Sequence, residues 1–210
     1  MPPSAEPAML VRFSRAERLV HRVSALLMGV CLVTAAILYN SQLAIPIGHR
    51  HLVETVHVYA GLALPVPLLA ALVSVAYRAD LRRLNRFTPA DWRWFRSSAR
   101  RDGQLPVGKF NAGQKLNAAL SAGSILVLFG TGVLMHFTRL GRLSWRTGAT
   151  FMHDWFALGL GLLVLGHIFY AIRDPQARRG MRTGSVPADW AHEEHGEWAA
   201  EMAEWGDAQH

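Results

Sequence analysis

The sequence predicts an all-α membrane protein with four transmembrane helices, and three observations lead there. Apolar blocks run approximately over 19–39, 53–77, 117–137 and 149–172, each near the roughly 20 residues that a spanning helix needs. Charged residues make up 18% of the 210-residue chain and hydrophobic residues 51%, whereas a soluble domain carries about 25% charge. That charge is gathered between the blocks, as expected of polar loops joining apolar spans.

Each element has its own signature. Arg12, Arg15 and Arg18 precede the first block and resemble a signal-peptide n-region. The run from Leu19 to Tyr39 is longer than a signal's apolar core of about 7–15 residues and lacks a clear A-x-A site, so it reads as a retained helix. The second block contains Pro65 and Pro67, which predict a kink whose freed carbonyls neighbouring helices satisfy. Thr88-Pro89-Ala90-Asp91 has capping-box spacing, and Trp92, Trp94 and Phe95 follow among arginines, predicting a helix in the inner interface. Asn111 stands where it would cap the third block. Gly123, Gly130, Gly132, Gly159, Gly161 and Gly166 recur in the last two blocks. They suit close helix packing, clearance for a flat ligand, or both.

Orientation follows from the lysines and arginines. The loop after the second block holds Arg78, Arg82, Arg83, Arg86, Arg93, Arg96, Arg100, Arg101, Lys109 and Lys115; Arg173, Arg178, Arg179 and Arg182 follow the fourth. The other loops hold only Arg50 in one and Arg139, Arg142 and Arg146 in the other. The positive-inside rule therefore puts both termini in the cytoplasm. The expected organisation is a cytoplasmic N-terminus over 1–18, a membrane domain over 19–182 and an acidic cytoplasmic tail over 183–210. Net charge is +7; placed in flanking loops, it points to anionic lipid headgroups and not to nucleic acid.

Histidine placement then suggests chemistry. His21, His57, His153 and His167 lie in or at the edges of the apolar blocks, where ionisable groups are costly and usually functional. His153 and His167 share one block at 14 residues apart. On a helix that is roughly 21 Å of rise and about 40° short of four turns, so both leave one face near opposite membrane surfaces. With both termini inside, His57 and His153 fall at the outer level and His21 and His167 at the inner level. Two bis-histidine haem sites fit this pattern. The sole cysteine, Cys31, excludes an internal disulfide, a Cys-held cluster and a CxxCH attachment, leaving haem of the b type. His49, His51 and His136 need no ligand role.

Other motifs carry less. Residues 103–109 approach a phosphate loop, but Phe110 replaces the magnesium-binding hydroxyl and no strand precedes it. His192-Glu-Glu-His195 lacks the i, i+4 spacing of a zinc-binding pair and reads as a solvated helix face. Trp190, Trp198 and Trp205 fall within an arc of about 80° on one tail helix, which suits either a protein partner or a self-packed terminal helix. No repeat is evident between residues 1–105 and 106–210, which disfavours a transporter. A haem-free membrane anchor remains the alternative to a cytochrome.

The four spans, the His153–His167 spacing and Lys109-Phe-Asn-Ala-Gly-Gln-Lys115 resemble the gamma subunit of respiratory formate dehydrogenase. Arg12-Phe13 leading to His21, and Gly184-Ser-Val-Pro-Ala-Asp-Trp190-Ala-His192 onward, are also similar. The resemblance implies a four-helix, di-haem cytochrome b bundle. In it His57 and His153 would hold the outer haem, and His21 and His167 the inner one. Menaquinone would be reduced near the inner haem beside Asn111, Gly113, Gln114 and His167. It also implies an Fe–S partner on the outer side and a molybdopterin or tungstopterin subunit that oxidises formate on another chain. Helix-borne histidines alone also fit the cytochrome b of a NiFe hydrogenase or of another molybdoenzyme. The proline pair and the acidic tail depart from the family pattern.

Overall fold

A computed structural model describes residues 8–97 and 105–207. Arg100, Arg101, Gly103 and Gln104 of the basic loop, and the outermost residues of both termini, lie outside the described residues. In chain order the elements are β1 (Met9–Val11), α1 (Arg15–Tyr39), α2 (Ser41–Ile47), α3 (Arg50–Ala63), α4 (Pro65–Ala70) and α5 (Val75–Leu84). Then come α6 (Pro89–Arg96), α7 (Ala112–His136), α8 (Leu143–Arg173), α9 (Pro175–Thr183), β2 (Ser185–Pro187), α10 (Ala188–Glu194) and α11 (Gly196–Asp207). Among the described residues four stretches are long and apolar enough to cross a membrane: 15–39, 50–73, 112–136 and 143–173, each with mean hydropathy 1.9.

Three of the four expected spans grow by a few residues at their starts. The second shifts instead. It begins at Arg50, breaks at Leu64 before Pro65, tightens into a 3-10 turn over Ala71–Val73 and stops at Ser74, whose backbone is extended. Pro65 and Pro67 lack the N–H groups that a continuous ladder would use, so the predicted kink is present.

The chain divides into two compact units. One holds residues 19–74 and 120–166, most of the length of the four spans. Within it Gly161 faces Leu32 and Gly132 faces His153, each at the distance of ordinary contact for an added Cβ. Gly123, Gly130, Gly159 and Gly166 have open space around them instead. The expectation of glycine packing thus holds at two of the six positions.

The other unit holds residues 1–18, 75–119 and 167–210. It adds what the helical reading did not foresee, a two-stranded antiparallel ribbon in which Leu10 pairs with Val186. Gly184 ends α9 with φ of +101°, and a Cβ there would sit 2.8 Å from the Phe13 carbonyl oxygen. Its own carbonyl accepts from the Arg12 and Phe13 amides. Only glycine tolerates both the left-handed backbone and the close approach. Val186, Ala191, Trp198 and Ala199 form the buried core, with Leu10, Trp190 and Met202 packed on it.

The tail corrects an expectation. It is two helices, α10 and α11, broken at His195, so the three tryptophans do not share one helical stripe. Trp198 is buried and Trp205 is exposed. The stripe dissolves into an internal anchor at Trp198 and a surface residue at Trp205.

The structure also exposes a repeat. α1 and α7 have the same length of 25 residues, and both open with reciprocal caps. The Ser14 amide donates to Glu17 Oε2 at 2.6 Å and the Glu17 amide to Ser14 Oγ at 3.3 Å. The Asn111 amide donates to Gln114 Oε1 at 3.0 Å and the Gln114 amide to Asn111 Oδ1 at 2.9 Å. A basic residue and a phenylalanine precede each cap, Arg12-Phe13 and Lys109-Phe110, and Pro-Ala-Asp-Trp occurs at both 89–92 and 187–190. The absence of an internal repeat is therefore overturned.

Candidate functional site

The two histidines expected at one level, His57 and His153, come together. His57 on α3 and His153 on α8 have ring centres 6.2 Å apart, with planes inclined at 69°. A direct N–H···N bond would bring the centres to about 5.2 Å. Metal–nitrogen bonds of about 2 Å, with each ring centre roughly 1.2 Å behind its nitrogen, put two imidazoles sharing one metal about 6.4 Å apart. The observed separation fits the second arrangement.

Each ring is also held from behind. Thr34 on α1 places its hydroxyl 2.8 Å from His57 Nδ1, and Thr131 on α7 places its own 2.9 Å from His153 Nδ1. With Nδ1 engaged, Nε2 is the nitrogen left to bind a metal, the arrangement expected of a ligating histidine. Gly132 lies beside His153 Cε1, where a Cβ would stand 3.5 Å away. Sequence reasoning missed both threonines. The available signal was a lone threonine in each apolar helix, 23 and 22 residues before its histidine.

The remaining predicted residues lie elsewhere. His21 on α1 belongs to the unit of His57 and His153, while His167, also on α8, belongs to the other. Asn111 and Gln114 form the cap of α7 through their side-chain carbonyl oxygens. That cap leaves the amide hydrogens as the groups available to an external acceptor. Gly113 lies under Trp94, whose Cη2 would be 3.0 Å from an added Cβ.

A polar cluster joins Arg12 just after β1, the first turn of α1, α5, the segment before α7, and the tail. Lys109 Nζ pairs with Asp80 and lies 3.6 Å from Glu17 Oε1. Burial, aided by the hydrogen bond to Glu17 and opposed by Lys109, pushes the Asp80 carboxyl up to about 7. Arg12 is buried, donates to the Lys109 carbonyl at 2.8 Å and lies 2.9 Å from His195 Nε2. Its guanidinium carbon sits 4.8 Å from the Trp190 ring centre and 5.7 Å from that of Trp198. Burial brings the Arg12 guanidinium down to about 10, so it stays charged at neutral pH. His195 is therefore not on a solvated face, which corrects the sequence reading; His192 is exposed. Among the described residues no histidine, cysteine or carboxylate group of three or more is placed to hold a metal ion.

Four apolar spans and a histidine pair at metal-bridging distance define a multi-pass membrane cytochrome of the b type. The chain belongs to the prokaryotic cytochrome b561 family, whose model matches residues 12–184. Membership brings haem b and membrane electron transfer. No curated protein matches the chain.

Proposed function

We propose that the chain is the di-haem b-type cytochrome subunit of a respiratory formate dehydrogenase complex. In this reading it passes electrons from an Fe–S subunit on the periplasmic side to menaquinone near the cytoplasmic side. Formate oxidation belongs to a molybdopterin or tungstopterin subunit. The observation that carries the reading is the 6.2 Å separation of His57 and His153. His57 and His153 would hold the outer group through Nε2, and His21 and His167 the inner one. Haem b held there by two histidines would supply one-electron transfer.

The chain's own residues then have defined tasks. The arginine-rich loops hold both termini in the cytoplasm of a protein inserted in the cell membrane. The α6 helix supports that placement. Its N-terminus carries the Thr88–Asp91 capping box, and Trp92 is exposed beside Phe87 and Phe95 on an apolar surface suited to the lipid interface. Asn111 and Gln114 have amide hydrogens to donate to a quinone carbonyl, and Gly113 keeps that turn low.

The test is spectroscopic and compositional. The purified chain is expected to show b-type bands on dithionite reduction, and the double variant His153→Ala/His167→Ala to lose most of its haem. Retention of more than about half the haem would contradict the ligand assignment, since both sites lose a bond that binding depends on. Asn111→Ala and Gln114→Ala should slow quinol formation with haem content intact. Mass spectrometry of the native complex should find a molybdopterin subunit; a NiFe subunit instead would assign the chain to a hydrogenase.

A further inference from the structure

Thr34 and Thr131 stand in matching relation to the outer histidines. Thr34 Oγ1 lies 2.7 Å from the Val30 carbonyl and 3.1 Å from that of Cys31. Thr131 Oγ1 lies 2.7 Å from the Val127 carbonyl and 3.2 Å from that of Leu128. A hydroxyl owns a single hydrogen. The short bond to the carbonyl four residues earlier uses it, so toward the imidazole each hydroxyl can only accept. The ring nitrogen facing it must carry the hydrogen. Both rings are thereby held as the Nδ1–H tautomer with the lone pair on Nε2, the form an axial ligand requires.

The repeat supports the match independently. Each threonine lies 19 residues after the first residue of its 25-residue helix, Arg15 or Ala112. The two helices supply equivalent hydroxyls to equivalent histidines from opposite halves of the chain.

We infer that Thr34 and Thr131 are positioning residues for haem b, fixing the tautomer and direction of His57 and His153 and raising their basicity as ligands. This rests on the assignment of those two histidines as a ligand pair. An accepting partner on Nδ1–H strengthens donation from Nε2 and favours the ferric state. Removing it makes reduction easier.

The experiment compares Thr34→Val and Thr131→Val with Thr34→Ser and Thr131→Ser in the full-length membrane protein. Haem content is measured alongside an equilibrium redox titration. Valine keeps the shape and removes the acceptor; serine keeps the acceptor. Each valine variant should raise the ferrous-to-ferric ratio of one haem at fixed ambient potential by about 3- to 10-fold, or lose that haem, while serine stays near the parent. Valine curves that superpose on the parent at full haem content would overturn the inference, as would serine variants as altered as valine. His57→Ala and His153→Ala separate the two levels. If they keep full haem, the ligand pair itself fails and the inference with it; if they lose haem while valine is silent, only the threonine role fails.

Discussion

His195 and the His57–His153 pair show one side chain in two employments. His195 Nδ1 lies 2.8 Å from the Gly108 carbonyl and Nε2 lies 2.9 Å from Arg12 Nη2. A carbonyl only accepts and a guanidinium only donates. The ring therefore carries its hydrogen on Nδ1 and spends its lone pair on Arg12. His57 and His153 hold the same tautomer through their threonines, but among the described residues no protein donor is seen at either Nε2, and their ring centres lie 6.2 Å apart. The difference lies at Nε2. Where the protein supplies a donor, the imidazole is a strut; where it withholds one, Nε2 stays open to the metal proposed above.

Three expectations would sharpen or break that contrast. The largest effect is on haem content. His153→Ala should remove the outer haem, whereas His195→Ala should leave the b bands of folded protein unchanged; a quantitative haemochrome assay separates them. Next is Arg12→Ala, which leaves His195 Nε2 buried without its donor and takes the cation from between Trp190 and Trp198. A cost of about 3 kcal/mol is expected from the lost hydrogen bonds and ring contacts. It should appear as early proteolysis of the tail in detergent, at unchanged haem spectrum.

The smallest effect is with pH. Asp80 holds its proton to about 7, against 3.8 in the absence of its surroundings. The folded state therefore binds the proton more strongly than the unfolded one, so this group's contribution is complete below about 4 and is lost as pH rises through 7. Exchange protection at the Leu10 and Val186 amides, corrected for intrinsic rates, should fall between pH 5 and pH 8. Asp80→Asn should flatten that slope. An unchanged slope would remove Asp80 as its source.

The spans and the nearness of His57 to His153 were legible because their physics is local or periodic. Long apolar runs mark the helices, Pro65 marks the break, and the loop charges predict a common depth for His57 and His153. The ribbon was not legible. Met9–Val11 and Ser185–Pro187 are three residues each, far apart in sequence, and no pattern that short carries a strand signal. The tail misled because a helical wheel assumes an unbroken helix, and His195 and Gly196 end one turn system and begin another. The repeat was hidden by substitution within chemical classes, Arg12 for Lys109, Ser14 for Asn111 and Glu17 for Gln114, which becomes plain only when both caps are seen to close alike. Thr34 and Thr131 looked like ordinary small polar residues until their hydrogens were assigned.

The proposed function requires one haem held between α3 and α8. An experimental density map of the complex purified from membranes, resolved well enough to separate porphyrin from side chain, tests it most directly. The expected map has a planar macrocycle between His57 and His153, each Nε2 on the iron and each Nδ1 turned to Thr34 or Thr131. A porphyrin ligated elsewhere, with those two rings bonded only to protein, would contradict it.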